Sequence, residues 1–228
     1  MNVELISLTK PFNCQSTDSP EDLISYCARV SNPENQNNTD TSPRLLKFLI
    51  KHKHWSPFEM VDMTLEIKTS RAIAAQILRH RSFSFQEFSQ RYAIAEDFYY
   101  RQARLQDPAN RQNSIELEDS EDFGKGGNKS QNERLYEDWN MKQAKVLDAS
   151  KKAYRWALDN GIAKEQARAV LPEGNTVSTL YMSGTLRSWI HYCDLRRGHG
   201  TQKEHMIIAD QCWDIIAAHF PDVAEAVE

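Results

Sequence analysis

Three arginines, a histidine, a glutamate and three serines are interleaved with three phenylalanines in the run Arg79-His80-Arg81-Ser82-Phe83-Ser84-Phe85-Gln86-Glu87-Phe88-Ser89-Gln90-Arg91. Guanidinium is a planar fork of N–H donors that matches the oxygens of phosphate and carboxylate. Packing three into one short segment sets up repulsion unless an anion, or a carboxylate such as Glu87, compensates it. An isolated Arg-His-Arg tripeptide reads first as an exposed charged turn. The order around it argues for more: the cluster ends a helix-like segment, and Ser89 and Arg91 follow at fixed spacing. Ser89 invites a nucleophilic role, but a serine hydroxyl needs an adjacent general base, and Glu87 is separated from it by a turn. The residues alone therefore argue against Ser89 as a nucleophile.

Elements on both sides must position this segment. Val61, Met63, Leu65 and Ile67 alternate with Asp62, Thr64, Glu66 and Lys68, the period of a half-buried antiparallel strand. A helix is predicted from Ser70 to about Arg79, which places Gln76, Arg79 and His80 together at i, i+3 and i+4. Upstream, residues 2–8 read as a strand, Ser19-Pro20-Glu21-Asp22 opens a helix to about Val30, and Ser42-Pro43 opens another. Residues 92–102 are aromatic-rich and read as extended. Downstream, a long helix is predicted over about 133–159, stopped by Asn160-Gly161, then a short helix through Arg168, a strand over 176–182 and a helix over 185–196. Arg187 and His191 are an i,i+4 pair on that helix. Thr201-Gln202-Lys203-Glu204 has the spacing of a capping box for the last long helix. Residues 105–131 are polar and read as a mobile loop insertion. Its GKGGNKS run lacks the spacing and preceding strand of a phosphate loop, and the chain has no GxGxxG. The expectation is one α+β domain over residues 1–228, helix-rich with a small antiparallel or mixed sheet.

Composition narrows the classes of function. A formal net charge of −4 gives no global basic field to recruit nucleic acid. Positive charge is local instead, at Arg71, Arg79, Arg81, Arg91, Arg101 and Arg104, which suits a small anionic ligand. The four cysteines, Cys14, Cys27, Cys193 and Cys212, show no CxxC spacing and read as free thiols in a reducing compartment. Residues 1–10 lack a signal-like apolar run, and no stretch approaches a membrane span. A soluble, cytoplasmic protein with no membrane partner is expected.

The spacing Arg79-His80-Arg81, seven residues, Ser89, one residue, Arg91 resembles the hallmark of the flavin-dependent thymidylate synthases. Four further blocks resemble that family in the family's order: His52 to Glu59, Gln166 to Pro172, Leu186 to Arg196 and Thr201 to Glu204. The resemblance implies reductive methylation of dUMP to dTMP, a methyltransferase reaction of nucleotide biosynthesis. Methylenetetrahydrofolate would supply the carbon, and FAD reduced by NADPH the hydride. It implies a homotetramer with active sites shared between subunits. By the same resemblance dUMP is bound by Gln76 and Arg79 from one subunit and by Glu87, Ser89, Gln90 and Arg91 from another, with Arg91 and Arg168 as phosphate clamps. Arg196 is the implied catalytic residue, favouring ionisation at N3 of the uracil and so raising electron density at C5. For FAD it implies Arg79, His80, Arg81 and Glu87, with Ser56, His54, Arg187 and His191 from the flanking blocks. Two positions depart from the family pattern: Met60 stands where a histidine is common, and Thr185 where many members carry an amide.

Two rival readings follow from the residues alone. Arginines with Phe83, Phe85 and Phe88 could grip single-stranded RNA by charge and stacking, although no RNP, KH or OB signature is present. His52, His54 and His80 could begin a metal site, but no HExxH motif or CxxC pair completes it, and no metal is expected.

Overall fold

The computed structural model describes residues 1–12, 19–117 and 130–228. Cys14 and the glycines of the GKGGNKS run lie outside the described residues. The chain opens with strand β1 (Asn2–Leu8), followed by helix α1 (Pro20–Ala28). Ser19 caps α1 as expected, its hydroxyl accepting from the Asp22 N–H at 3.0 Å with Pro20 in the first turn. Helix α2 (Ser42–Lys51) and a 3-10 turn over Ser56–Met60 then deliver the chain to strand β2 (Asp62–Ser70). Helix α3 (Arg71–Ile77), strand β3 (Ser84–Glu87), and the short strands β4 (Arg104–Gln106) and β5 (Ser114–Glu116) follow. Helix α4 (Gln131–Asp159) begins in a reciprocal capping box between Ser130 and Glu133. After it come α5 (Lys164–Ala167), strand β6 (Val177–Thr185), α6 (Leu186–Arg197), α7 (Lys203–His219) and α8 (Pro221–Val227).

The fold is α+β, and its main sheet is antiparallel throughout, in the order β1-β2-β6-β3. The alternation in β2 has its expected result: Met63, Leu65 and Ile67 are fully buried. Each such side chain contributes about 1.5–3 kcal/mol by leaving water. Against that face pack Trp189, Ile190 and Cys193 of α6 and Ile208, Ala209, Cys212 and Trp213 of α7. The register pairs Asp62 with Thr185, so the start of β2 meets the N-cap of α6. There the Leu186 N–H donates to the Val61 carbonyl at 2.8 Å, and the Trp189 indole N–H donates to the Met63 carbonyl at 3.0 Å. A second, smaller apolar cluster joins Ala95, Tyr154, Ala157, Ala167 and Leu171, with Phe88 and Phe98 packed against it. The hallmark segment straddles the two: Phe83 and Phe85 pack on the main core and Phe88 on the second cluster. These rings serve as anchors.

Four expectations need correction. Helix α3 stops at Ile77 rather than near Arg79, because Arg79 to Phe83 must turn to enter β3; the His80 N–H already bonds to the Ile77 carbonyl. The described part of 105–131 includes an ordered β4–β5 hairpin, whose loop is closed by Asp107 accepting from Ala109 N, Asn110 N and the Asn113 amide. No capping box forms at 201–204. Gln202 is the N-cap of α7 without a side-chain cap bond, and the Glu204 carboxylate is taken by Arg101 and Arg104. Residues 92–102 are mostly irregular, touching the sheet through a bridge between Phe98 and Thr176.

Gly184 of β6 lies under the Phe83 ring, where an added Cβ would sit 2.5 Å from Cδ1. Phe83 is backed by Trp189 with ring centroids 4.8 Å apart, so it has little freedom to retreat. Gly184→Ala is therefore expected to destabilise the protein by about 1–3 kcal/mol through overpacking. Urea unfolding measures this directly; an unchanged midpoint would show that the hallmark turn is not held by this contact.

Candidate functional site

Helix α6 carries the site on two adjacent stripes. Ser188, Tyr192 and Arg196 recur every fourth residue and face the Arg79–Ser82 turn. The Ser188 hydroxyl donates to the Ser82 carbonyl at 3.4 Å, and the His80 ring meets Tyr192 edge-on at 4.9 Å. Arg196 Nε–H donates to His80 Nε2 at 2.9 Å. An imidazole nitrogen that accepts from arginine carries no proton, so His80 is neutral here with its proton on Nδ1. Burial, aided by the Arg196 charge, holds the ring below the usual histidine value.

A chain of hydrogen bonds, running from the exposed Gln202 to the buried His205, lies behind this contact. Gln76, on the last turn of α3, donates from Nε2 to Gln202 Oε1 at 2.8 Å. Its Oε1 meets His205 Nδ1 at 3.2 Å, and His205 Nε2 meets the Tyr192 hydroxyl at 3.0 Å. His205 is fully buried, which together with the charge of Arg196 lowers its pKa to about 3. On the other side Gln202 Nε2 donates to Glu204 Oε2 at 2.8 Å. Burial works against the charge on Glu204, yet hydrogen bonds from Arg104 and Gln202 hold its pKa below the usual carboxylate value. Tyr192, Gln202, Glu204 and His205 were not among the residues the sequence singled out as ligand contacts. The available signal was a histidine on the apolar stripe of α7 with Ile208, Ala209 and Cys212, a position that reads equally well as core.

The neighbouring stripe of α6, Arg187 and His191, faces the 3-10 turn at Ser56–Met60. Arg187 pairs with Glu59, and His191 meets the Trp55 ring edge-on at 4.7 Å. Burial and the Arg187 charge lower the His191 pKa. Ser56 and Met60 line a cleft of about 490 Å³ beside α1. His54 is exposed, and its ring contacts are with Phe48 and His52. Thr185 serves as N-cap of α6, accepting from the Ser188 N–H at 3.3 Å.

The loop residues form a third group. Glu87 accepts from the Ser178 hydroxyl at 2.7 Å and pairs with Arg71 at 3.4 Å. Glu87 and Ser89 line a cleft of about 400 Å³ with Tyr92 and Thr179. Gln90 is buried, and its amide nitrogen has no hydrogen-bond partner among the described residues. Arg91 pairs with Glu165 at 3.2 Å, one turn before Arg168, so the loop arginine and Arg168 share a neighbourhood. That exposed ion pair is worth at most about 1 kcal/mol and yields readily to a phosphate. A further cleft of about 500 Å³, lined by Arg104, Arg111 and Trp139, adjoins Gln202.

The structure thus joins Gln76, His80 and Arg196 in one place and Ser56, Arg187 and His191 around a second, while Glu87 and Ser89 share a third cleft and Arg91 reaches Glu165, one turn before Arg168. Arg79 and Arg81 are exposed, with no ion pair to either among the described residues. Such uncompensated guanidinium groups suit a ligand with phosphates, and the Trp55–His191 pair offers aromatic surface to a flat ring system. An FAD group fits that donor set. Among the described residues no three histidine, cysteine or carboxylate side chains converge on a metal-binding arrangement.

Comparison with known proteins bears on the family and the fold. Residues 14–222 match the family described as thymidylate synthase complementing protein. The chain is 52% identical to a flavin-dependent thymidylate synthase of Synechocystis, covering all of both proteins. It is 50% identical to a probable flavin-dependent thymidylate synthase of Paramecium bursaria Chlorella virus 1, covering all of this chain and 99% of that one. Its fold is similar to the UMP/dUMP methylase PolB from Streptomyces cacaoi, solved with 5-Br dUMP, at a TM-score of 0.78 and 26% identity over 99% of this chain and 93% of the other.

The buried histidines predict a pH response. His205 has a folded pKa of about 3, below the ordinary value near 6.5. Its contribution to stability is therefore complete above pH 6.5 and is lost as pH falls toward 3. Histidine nitrogen NMR at pH 5.5 is expected to show His205 neutral with its proton on Nδ1. A His205 signal titrating near 6.5 would contradict the hydrogen-bond chain described above.

Proposed function

We propose an activity from one premise: the chain belongs to the flavin-dependent thymidylate synthase family. It reductively methylates dUMP to dTMP, with methylenetetrahydrofolate as carbon donor and FAD, reduced by NADPH, as hydride carrier. The single observation that carries this reading is the Arg196–His80 hydrogen bond. A neutral imidazole fixes the guanidinium through Nε, which leaves its terminal N–H groups to face a substrate. A fixed positive charge beside the uracil stabilises negative charge at N3 and its flanking carbonyls, and so raises electron density at C5. C5 then takes the one-carbon unit from the folate and gives up its own proton. The bond from that carbon to the folate nitrogen breaks as tetrahydrofolate leaves, and reduced FAD, when bound, would supply the hydride that completes the methyl group.

The remaining candidates bind and orient. Gln76 and Arg79 approach dUMP from the helix end, and Glu87, Ser89, Gln90 and Arg91 from the loop, with Arg91 and Arg168 on the phosphate. Arg79, His80, Arg81, Glu87, Ser56, His54, Arg187 and His191 hold the flavin. Glu87 already accepts from Ser178, which leaves carboxylate lone pairs for a ribose hydroxyl or flavin N–H. The separation of helix-end and loop residues into different parts of one chain supports a homotetramer whose sites are shared between subunits. Free thiols at Cys193 and Cys212 support a reducing, cytoplasmic setting, and no described helix is long and apolar enough to cross a membrane.

Anaerobic mixing of reduced, FAD-loaded protein with dUMP and methylenetetrahydrofolate should give flavin reoxidation and dTMP together, and only with both substrates. Flavin binding without dTMP would sink the reaction assignment. Arg196→Ala should keep its fold and flavin but lose roughly 10²–10³-fold in turnover, the scale of losing an oxyanion donor. Ser89→Ala should retain part of the activity; complete loss with intact dUMP binding would restore Ser89 as a nucleophile.

A further inference from the structure

The hydrogen-bond chain behind Gln76 has a direction, and an acceptor-only group sets it. Glu204 is a buried carboxylate faced by Arg101 and Arg104. An ionised carboxylate only accepts, so Gln202 must turn its amide nitrogen toward Glu204 and its oxygen toward Gln76. Gln76 must then offer nitrogen to Gln202 and oxygen to His205. His205 answers with Nδ1–H, and its bare Nε2 accepts from the Tyr192 hydroxyl. Every member satisfies its neighbour in one sense of the chain. The reverse sense would set a Gln202 oxygen against the Glu204 carboxylate, two acceptors with no proton between them, and would give up the hydrogen bond that Glu204 accepts.

We infer that His205 is a positioning residue that holds the Gln76 amide in one of its two flip states, so that Gln76 presents its remaining N–H, and never its carbonyl, to an acceptor oxygen of the nucleotide. This inference rests on the reading of Gln76 as a dUMP contact. The two flip states of a glutamine have nearly the same shape. Packing alone therefore cannot choose between them, and the hydrogen-bond partner must. Gln76 is half-buried, which leaves it within reach of a ligand, whereas His205 is fully enclosed.

Asparagine and glutamine dissect the imidazole. In His205→Asn the side-chain amide can stand in for Nδ1–H and keep the donor to Gln76. In His205→Gln the amide reaches the Nε2 position and keeps only the partner of Tyr192. His205→Leu removes both. With flavin-loaded protein, dUMP titration should show His205→Leu and His205→Gln weakened about tenfold and His205→Asn within about threefold of wild type. The effect should fall on the KM for dUMP, with kcat and flavin content nearly unchanged. Should the leucine variant fail to fold, the glutamine variant carries the comparison. Equal weakening of the asparagine and glutamine variants, or a flat series, would overturn the inference alone. Wild-type protein that binds no dUMP would overturn the functional reading, and this inference with it.

Discussion

Everything in the site hangs from the seating of one helix on one strand. Trp189 is fully buried, and its indole N–H is bonded to the Met63 carbonyl. A buried indole without that acceptor would lose more than the bond itself is worth, so the contact fixes both the height and the rotation of α6 on β2. With the rotation set, the 3.6-residue period assigns the other faces. Ser188, Tyr192 and Arg196 must meet the Arg79–Ser82 turn, and Arg187 and His191 must meet the 3-10 turn at Ser56–Met60. The turn is located from its own side by Phe83 and Phe85 on the main core, and the loop beyond it by Phe88 on the second cluster.

A site built to hold anions gathers like charges before any anion arrives, and the protein manages this with neutral histidines. His80 approaches Arg196 as a hydrogen-bond acceptor, which an imidazolium could not do. His205 sits behind it equally uncharged, since burial and the same arginine disfavour its protonation. Deeper in, two arginines share the single carboxylate of Glu204, and burial pulls the Arg101 pKa down. On the surface side the positive charge sits on Arg79, Arg81 and Arg196, while His80, Tyr192 and His205 beside Arg196 are polar but uncharged. Polar networks of this kind specify one geometry when every member is satisfied.

Much of this was legible in the residues themselves. The alternation from Val61 to Thr69 gave β2 within one residue, and Ser19-Pro20 gave the start of α1. The Arg187–His191 pairing followed from helical period alone. What was not legible depended on partners distant in sequence. Thr201 to Glu204 has the local pattern of a capping box, but Arg101 and Arg104, about a hundred positions earlier, compete for Glu204 and win because its carboxylate is buried. Helix α3 has no strong stop signal at Ile77; the need to begin β3 beside β6 ends it. The phenylalanines of the hallmark looked free to stack on bases until two separate cores claimed them. His205 carried no sequence signal beyond its place on an apolar stripe.

The β2–β6 pairing also governs when the site can come into being. Thr64 meets Ser183 across 119 residues of chain, so closing that ladder is among the slower, non-local events of folding. Helix α4, with its own cap and a local backbone ladder, can form before that. During synthesis the hallmark segment leaves the ribosome well ahead of the strand and helix that seat it. Its arginines and half-exposed phenylalanines must wait unpartnered for roughly a hundred residues more, a span in which a chaperone or a sister chain has its best opportunity to hold them.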